Sequence, residues 1–565
     1  MSKSIIEELS EERKYLQEIG ELPDWYTTPG WQLFKEKYVY KGQHVKEAYH
    51  RIAKAAAFHM PNESLEWEQK FFDVMWKGWL APSTPVMANM GTDRGCPVSC
   101  SGGYIDDSIY SFYSSQLEAA MLSKNGFGTS GYLGDIRPRG DKISTGGFAS
   151  GVVPVLKDFI QLSRDVSQGS NRRGAWAGYL EIDHDDFWEV ITYLEKHPDD
   201  CNIGWNISDE FIARLDDQDE DAINRYQKTL KIKMITGKGY YFFTDRVNEQ
   251  NPQCYKDKDF KVLASNLCTE ITLMSDLYHT FTCVLSSMNL DMYDEWKYTD
   301  AVYISTVFLD CVASEFIRIG SEIKGLKKAV RFTEKSRALG LGTLGFHSYL
   351  QKNNIAFESL EANYKNSEIF KHLHDESLRA SKWMAEALGE PEWCEGYGVR
   401  NSHRTSIAPN LSSALLCGSK SQGIEPTYQN AYVQSSAGGE INRVNPYIIE
   451  IMKRENVYNN DTIEDIINNK GSVQHVVWLT EDEKMVFKTA FEIDQSVIIR
   501  MADVRQKYIC QAQSINLFFD SNEKEEYISH IHQLAFKSKN IKSLYYIRSL
   551  AGVQAAKGEC VACEG

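Results

Sequence analysis

Apolar residues recur at intervals of three and four through "HVKEAYHRIAKAAAF" and "SLEWEQKFFDVMWKGWL". That is the spacing of helices that bury one face, so residues 1–80 read as a helical N-terminal region. From about residue 81 the pattern changes. Glycine-rich loops ("KNGFGTSGYLGDIRPRG", "SQGSNRRGAWAG") alternate with short apolar runs ("KIKMITGKGYYFFTDRV") and helical stretches ("AVYISTVFLDCVASEFIRIG"). Such alternation predicts an α/β core over residues 81–550. In "SNEKEEYISHIHQLAFKSK" Tyr527, Ile528, Ile531 and Leu534 share a helical face, with Asn522 and Glu525 spaced as a capping box. This predicts the last helix, followed by a short strand from Leu544 to Arg548. Beyond Leu550 almost nothing apolar remains to anchor the chain, so 551–565 are expected to form a mobile tail.

The 565 residues carry 62 lysines and arginines against 78 acidic residues, a formal charge of −16, with no basic stripe. A nucleic acid polymer is therefore not an expected partner, although backbone N–H groups can still hold a small phosphorylated ligand. No apolar run is long enough to span a membrane, and the start, "MSKSIIEELSEERKYL", is too charged for a signal peptide. A cytoplasmic chain is expected. Its twelve cysteines should then be reduced, each a buried small hydrophobe, a metal ligand or a reactive thiol.

Two cysteines, Cys560 and Cys563, end the chain as a C-x-x-C pair, the spacing of a good dithiol. The alternative is half of a zinc site, for which Cys96 and Cys100 in "CPVSC" offer the other half. Ahead of the tail stand adjacent tyrosines, Tyr545 and Tyr546, side chains that give up a hydrogen atom readily. In "ASNLCTEITL" Cys268 lies between Asn266 and Glu270. A carboxylate two residues away disfavours a thiolate and suits a neutral thiol that reacts by losing hydrogen, with Glu270 free to act as acid or base. "GLGTLG" matches a dinucleotide fingerprint but has no strand before it, and "DHDDF" around His184 reads as a helix start rather than a metal cluster.

The motifs "PSTPVMANMG", "PVSCSGG", "SNLCTE", "CVLSSMNL", "RALGLGTLGFHSYL", "APNLSSA", "GIEP", "GSVQHV", "ICQAQSINLF" and "LYYIR" occur in that order from about residue 45 to the C-terminus. In this succession the chain resembles the catalytic large subunit of class I ribonucleotide reductase. The resemblance implies a ten-stranded α/β barrel with a central finger loop, and thiyl-radical reduction of ribonucleotides, as diphosphates, to deoxyribonucleotides. Cys268 would take the 3′ hydrogen of the ribose, Glu270 would be the base for the 3′ hydroxyl, and Asn266 would bond the sugar. Cys100 and Cys283 match the thiols that reduce the 2′ position and end as a disulfide. Tyr545 and Tyr546 match the stacked pair that carries the radical in, and Cys560 and Cys563 match the dithiol that re-reduces the disulfide.

By the same resemblance Thr84, Ser99, Leu411, Ser412 and Ser413 hold the substrate diphosphate. Asp107, Gln168, Asn171 and Arg173 belong to the specificity site for an ATP or dNTP effector. No cofactor is bound directly: the radical comes from a metal-containing small subunit, electrons come from thioredoxin or glutaredoxin, and the large subunit forms a homodimer. Nothing ahead of residue 45 resembles the family's N-terminal ATP-cone, so inhibition by dATP through that site is expected to be absent. Adjacent strand residues point to opposite faces, so a stacked Tyr545–Tyr546 pair requires an irregular backbone there. A cobalamin-dependent reductase on the same barrel is the enzyme alternative; a non-catalytic dithiol or zinc-binding protein is the other.

Overall fold

A computed structural model of the chain describes residues 5–61, 64–166, 174–200, 202–436 and 439–549. It opens on four helices, Ile5–Glu18, Thr28–Lys37, Val45–Ala57 and Ser64–Trp76. The third buries Val45, Ala48, Tyr49, Ile52, Ala53 and Ala56, the stripe its sequence spacing announces. Its first turn is closed by Glu47, whose carboxylate accepts the His44 N–H at 3.0 Å. The fourth helix packs against it, with Phe72 stacked on His50 at 3.9 Å, and also buries Trp67, Phe71 and Met75.

The strands follow in chain order as β1 (Leu80–Pro82), β2 (Cys100–Tyr104), β3 (Gly128–Tyr132), β4 (Trp176–Glu181), β5 (Asn202–Ile207), β6 (Tyr240–Phe243), β7 (Phe281–Cys283) and β8 (Leu285–Asn289). After them come β9 (Gly340–Leu344), β10 (Ala431–Ser436), β11 (Gly439–Val444), β12 (Leu517–Phe518), β13 (Ser543–Leu544) and β14 (Ile547–Arg548). β2 to β6 lie side by side and parallel, with helices between them. On one side β7 joins β2 in antiparallel fashion and runs on into β8, which lies parallel to β9. From β9 the ring passes through parallel bridges, Leu341 to Thr405 and Ile407 to Gln513. Tyr545 then donates its N–H to Ile515 O at 2.8 Å, β12 pairs with β14, and β13 pairs antiparallel with β6.

That closes a ring of ten staves: β2 to β6, β7–β8, β9, the segment about 405–407, the segment 511–518 and the segment 543–548. The expected ten-stranded barrel is the observed one. Side chains alternate along β6. Tyr240 and Phe242 of β6 join the apolar cluster inside the ring, while Tyr241 and Phe243 join the core beneath the outer helices. The β10–β11 hairpin stands outside, over a satellite core that includes Ala431, Ile448, Met452 and Ile466. Among the described residues no helix is long and apolar enough to cross a membrane.

Two local expectations need correction. The last helix spans Glu525–Lys537 and buries Ile528 and Ile531, but Lys524 caps it without a side-chain bond. Asn522 stands ahead of the cap, its own N–H held by Asp520 Oδ1 at 3.1 Å, so the capping box does not form. The strand expected from Leu544 to Arg548 is interrupted at Tyr545 and Tyr546, between β13 and β14. "GLGTLG" is β9 itself, running into the helix Phe346–Lys352, and "DHDDF" leads into the helix Phe187–Lys196 through Asp186.

Candidate active site

Between the helix Gln253–Lys256 and β7 the chain has no regular secondary structure and enters the ring. Staves from both halves take up its backbone groups, as buried peptide groups require. Asn206 Nδ2 donates to Leu263 O at 2.7 Å, Ser130 Oγ to Ser265 O at 2.8 Å and Tyr179 Oη to Asn266 O at 2.6 Å. From the opposite half, Ser514 Oγ donates to Cys268 O at 2.6 Å, Ser543 Oγ to Thr269 O at 2.9 Å and the Ala512 N–H to Glu270 O at 2.9 Å. Gly204 makes room for this: a Cβ there would come within 2.2 Å of the Tyr179 ring, the side chain that reaches in to hold Asn266.

At the tip Thr269 adopts φ +67°, a left-handed conformation unfavourable for a β-branched residue. The bonds to Cys268 O, Thr269 O and Glu270 O hold it in place. Cys268, Glu270 and Asn266 are all buried. Asn266 Nδ2 donates to Glu270 Oε1 at 2.9 Å, and Ser514 Oγ lies 3.3 Å from Oε2. Burial, then the neighbouring Cys100 charge, push the Glu270 carboxyl up to about 8, against the opposing pull of those hydrogen bonds. Near neutral pH the group can therefore both hold and release a proton.

Cys100 and Cys283 face each other directly across the antiparallel β2–β7 pair. Directly opposed antiparallel residues have Cα atoms about 4.5–5.5 Å apart, inside the range of about 4.4–6.8 Å that a disulfide needs. Burial and a hydrogen bond with Cys100 hold the Cys283 thiol well above its usual range, with smaller contributions from Glu270 and Cys268. Three thiols and one carboxyl are thus buried together inside the ring. Cys96, the other cysteine of "CPVSC", is a buried thiol pushed up to about 12 by burial.

Tyr545 and Tyr546 lie where the last stave breaks, their ring centroids 4.1 Å apart at 47°. The interruption lets neighbouring residues turn their rings together. Tyr545 Oη is 3.4 Å from Cys268 Sγ, and the Arg548 guanidinium sits 4.5 Å over the Tyr546 ring. Sequence reasoning missed three contributors here: Ser514, Tyr240 and Lys233. Tyr240 donates its hydroxyl hydrogen to Tyr546 Oη at 3.1 Å. Lys233, buried on the helix Glu220–Thr236, donates to Gly239 O at 2.7 Å and to Tyr545 O. Burial pulls its ammonium down to about 7. Replacing it, Lys233→Met, leaves both carbonyls without this donor. A loss of about 1–3 kcal/mol in unfolding free energy is expected, read from the urea midpoint at unchanged slope.

The residues expected to hold the substrate phosphate lie around β1. Thr84 begins the helix Thr84–Asn89 and its Oγ1 is 3.1 Å from Tyr38 Oη. Leu411, Ser412 and Ser413 begin the helix Leu411–Leu416, and Ser413 Oγ donates to Pro82 O at 3.4 Å. Two helix starts therefore meet at one strand, with N–H groups of the kind that suit an anion. Ser99, buried, donates its N–H to Cys283 O at 3.3 Å, which ties this region to the thiol pair. Asp107 follows β2 and pairs with Arg137. Gln168, Asn171 and Arg173 lie outside the described residues, as do Cys560 and Cys563.

The match to known proteins covers most of the chain. The family model described as ribonucleotide reductase, barrel domain, matches residues 98–224, 220–397 and 391–547, and the one described as ribonucleotide reductase, all-alpha domain, matches 24–95. The chain is 35% identical over 536 residues to a Frog virus 3 (isolate Goorha) protein, covering 88% of this chain and 93% of that one. It is 30% identical over 568 residues to the ribonucleoside-diphosphate reductase large subunit of Invertebrate iridescent virus 3, covering 85% and 87%. The solved structure of the Actinobacillus ureae class Id ribonucleotide reductase alpha subunit superposes with a TM-score of 0.87 at 39% identity, over 93% of this chain and 97% of that one. The chain belongs to the ribonucleotide reductase family, as the catalytic large subunit that converts ribonucleotides to deoxyribonucleotides.

Proposed function

We propose that the chain is a class I reductase subunit that acts on ribonucleoside diphosphates through a thiyl radical on Cys268. The observation that carries this reading is the contact between Tyr545 Oη and Cys268 Sγ at 3.4 Å, with the Tyr546 ring packed against that of Tyr545 at a 47° tilt. A partner small subunit oxidises Tyr546, and the hole passes to Tyr545 and then, with loss of the S–H hydrogen, to Cys268. The thiyl takes the 3′ hydrogen while Glu270 takes the proton of the 3′ hydroxyl and Asn266 bonds the sugar. Cys100 and Cys283 supply two electrons and two protons, so the 2′ oxygen leaves as water and their sulfurs end as a disulfide. Cys268 then returns the 3′ hydrogen.

Cys560 and Cys563 would reopen that disulfide at the expense of thioredoxin or glutaredoxin. Thr84, Ser99 and the start of the helix Leu411–Leu416 would hold the diphosphate, and Asp107 with Gln168, Asn171 and Arg173 would read an effector nucleotide in a homodimer. The test is deoxynucleotide formation from a ribonucleoside diphosphate with effector and dithiothreitol, in arms containing either a radical-bearing small subunit from the same source or adenosylcobalamin. Product only with the small subunit is expected. Product with cobalamin alone would remove the tyrosines from the route and leave the barrel chemistry standing.

A further inference from the structure

Tyr240 has a buried phenol that the route above does not use. It lies on the inward face of β6 and is fully buried. Its ring centroid is 4.9 Å from that of Tyr545 and 5.4 Å from that of Tyr546, and its hydroxyl donates to Tyr546 Oη at 3.1 Å. The next residue on the strand gives the contrast. Tyr241 points outward and its hydroxyl meets Thr229 Oγ1 at 2.9 Å, an ordinary buried phenol satisfied by a local partner. Tyr240 instead spends its hydroxyl on the proposed radical carrier. A phenylalanine would fill the same space without bringing a polar group to be satisfied.

We propose that Tyr240 is a third redox-active tyrosine, which exchanges a hydrogen atom with Tyr546 across their hydroxyl contact and so shares the incoming radical. The proposal rests on the tyrosine route of the preceding subsection. In the step, the Tyr240 O–H bond breaks and a Tyr546 O–H bond forms: one proton and one electron move together, Tyr546 phenoxyl is reduced and Tyr240 is oxidised. The two phenols are chemically alike, so exchange runs in either direction, and the oxidant is the phenoxyl that the small subunit generates. Burial, then Tyr546, hold the Tyr240 phenol far above its ordinary range, which favours movement of a hydrogen atom over release of a proton to form phenolate. Tyr240 also touches the Tyr545 ring, so a radical parked on it stays beside the last carrier before Cys268.

The experiment uses the full chain with its small subunit, a ribonucleoside diphosphate and effector. With 3-aminotyrosine in place of Tyr240, electron paramagnetic resonance should show an aminotyrosyl radical that disappears when Tyr546→Phe is added. Tyr240→Phe, which keeps the ring, should lower kcat about five- to tenfold with little change in KM, the scale of one hydrogen bond. Wild-type turnover in Tyr240→Phe overturns the proposal. So does the absence of a radical at 240 when 3-aminotyrosine at 546 yields one. Absence at both positions overturns it together with the tyrosine route, and the control at 546 tells the two failures apart.

Discussion

Tyr545→Phe is expected to bring deoxynucleotide formation down by at least about 10³-fold, to the background of the assay, with the fold intact. The phenol oxygen of Tyr545 is the atom that meets Cys268 Sγ, at 3.4 Å. Without it the hole has no hydrogen-accepting site beside the thiol. The ring remains, still packed against Tyr240 and Tyr546. What is lost from stability is a hydrogen bond to a thiol, a weak partner, worth about 1 kcal/mol or less. Melting temperature therefore separates a broken route from a broken protein. Turnover above about a tenth of wild type, at an unchanged melting temperature, would place the transfer elsewhere.

The parts of the site legible in the sequence were those carried by short motifs. Asn266, Cys268 and Glu270 sit within five residues, and their contacts run along one loop, so spacing alone suggested a thiol and a carboxyl working together. Cys100 and Cys283 are far apart in the chain, and only the motifs around them pointed to a pair that strand register now sets face to face. Tyr240 and Lys233 left no such trace, and Ser514 lies within "ICQAQSINLF" without being singled out by it. For each, a partner lies hundreds of positions away: Tyr546 for Tyr240, Tyr545 for Lys233, Cys268 for Ser514.

Barrel closure was illegible for a related reason. The segments about 405–407 and 511–514 enter the ring through single bridges, with too few consecutive paired residues for a strand pattern to show. The break at Tyr545 and Tyr546 could be anticipated from the requirement that the rings meet. The false capping box at Asn522 arose from a correct spacing placed ahead of the actual cap, because Asp520 claims the Asn522 N–H.

Glu270→Gln should separate chemistry from stability, with opposite signs. Turnover is expected to fall about 10²–10⁴-fold, the usual worth of a positioned acid or base, since an amide cannot take the 3′ hydroxyl proton. Stability should move the other way at alkaline pH. In the folded protein the carboxyl is raised to about 8 by burial and then by Cys100, while in the unfolded chain it ionises near about 4.3. Between those values the folded state holds a proton that the unfolded state has released, so wild-type stability declines as pH rises through this window. The decline amounts to a few kcal/mol, on the order of 1.4 kcal/mol for each pH step of one across the window, less what the surroundings recover by relaxing.

Glutamine is neutral throughout and can keep its oxygen toward Asn266 and its nitrogen toward Ser514, so its stability should stay flat where that of the wild type declines. Urea unfolding at pH 5 and pH 8.5 measures this directly. Near-equal midpoints at pH 5 and a higher midpoint for the variant at pH 8.5 are expected. Cys100, Cys268 and Cys283 face the same space and are common to both proteins, so subtracting the two profiles leaves the carboxyl's own contribution. Parallel profiles would mean that Glu270 folds already ionised. Its place beside the thiols would then be sustained by Asn266 and Ser514 alone, and the proton it is proposed to take from the ribose would meet a carboxylate from the start.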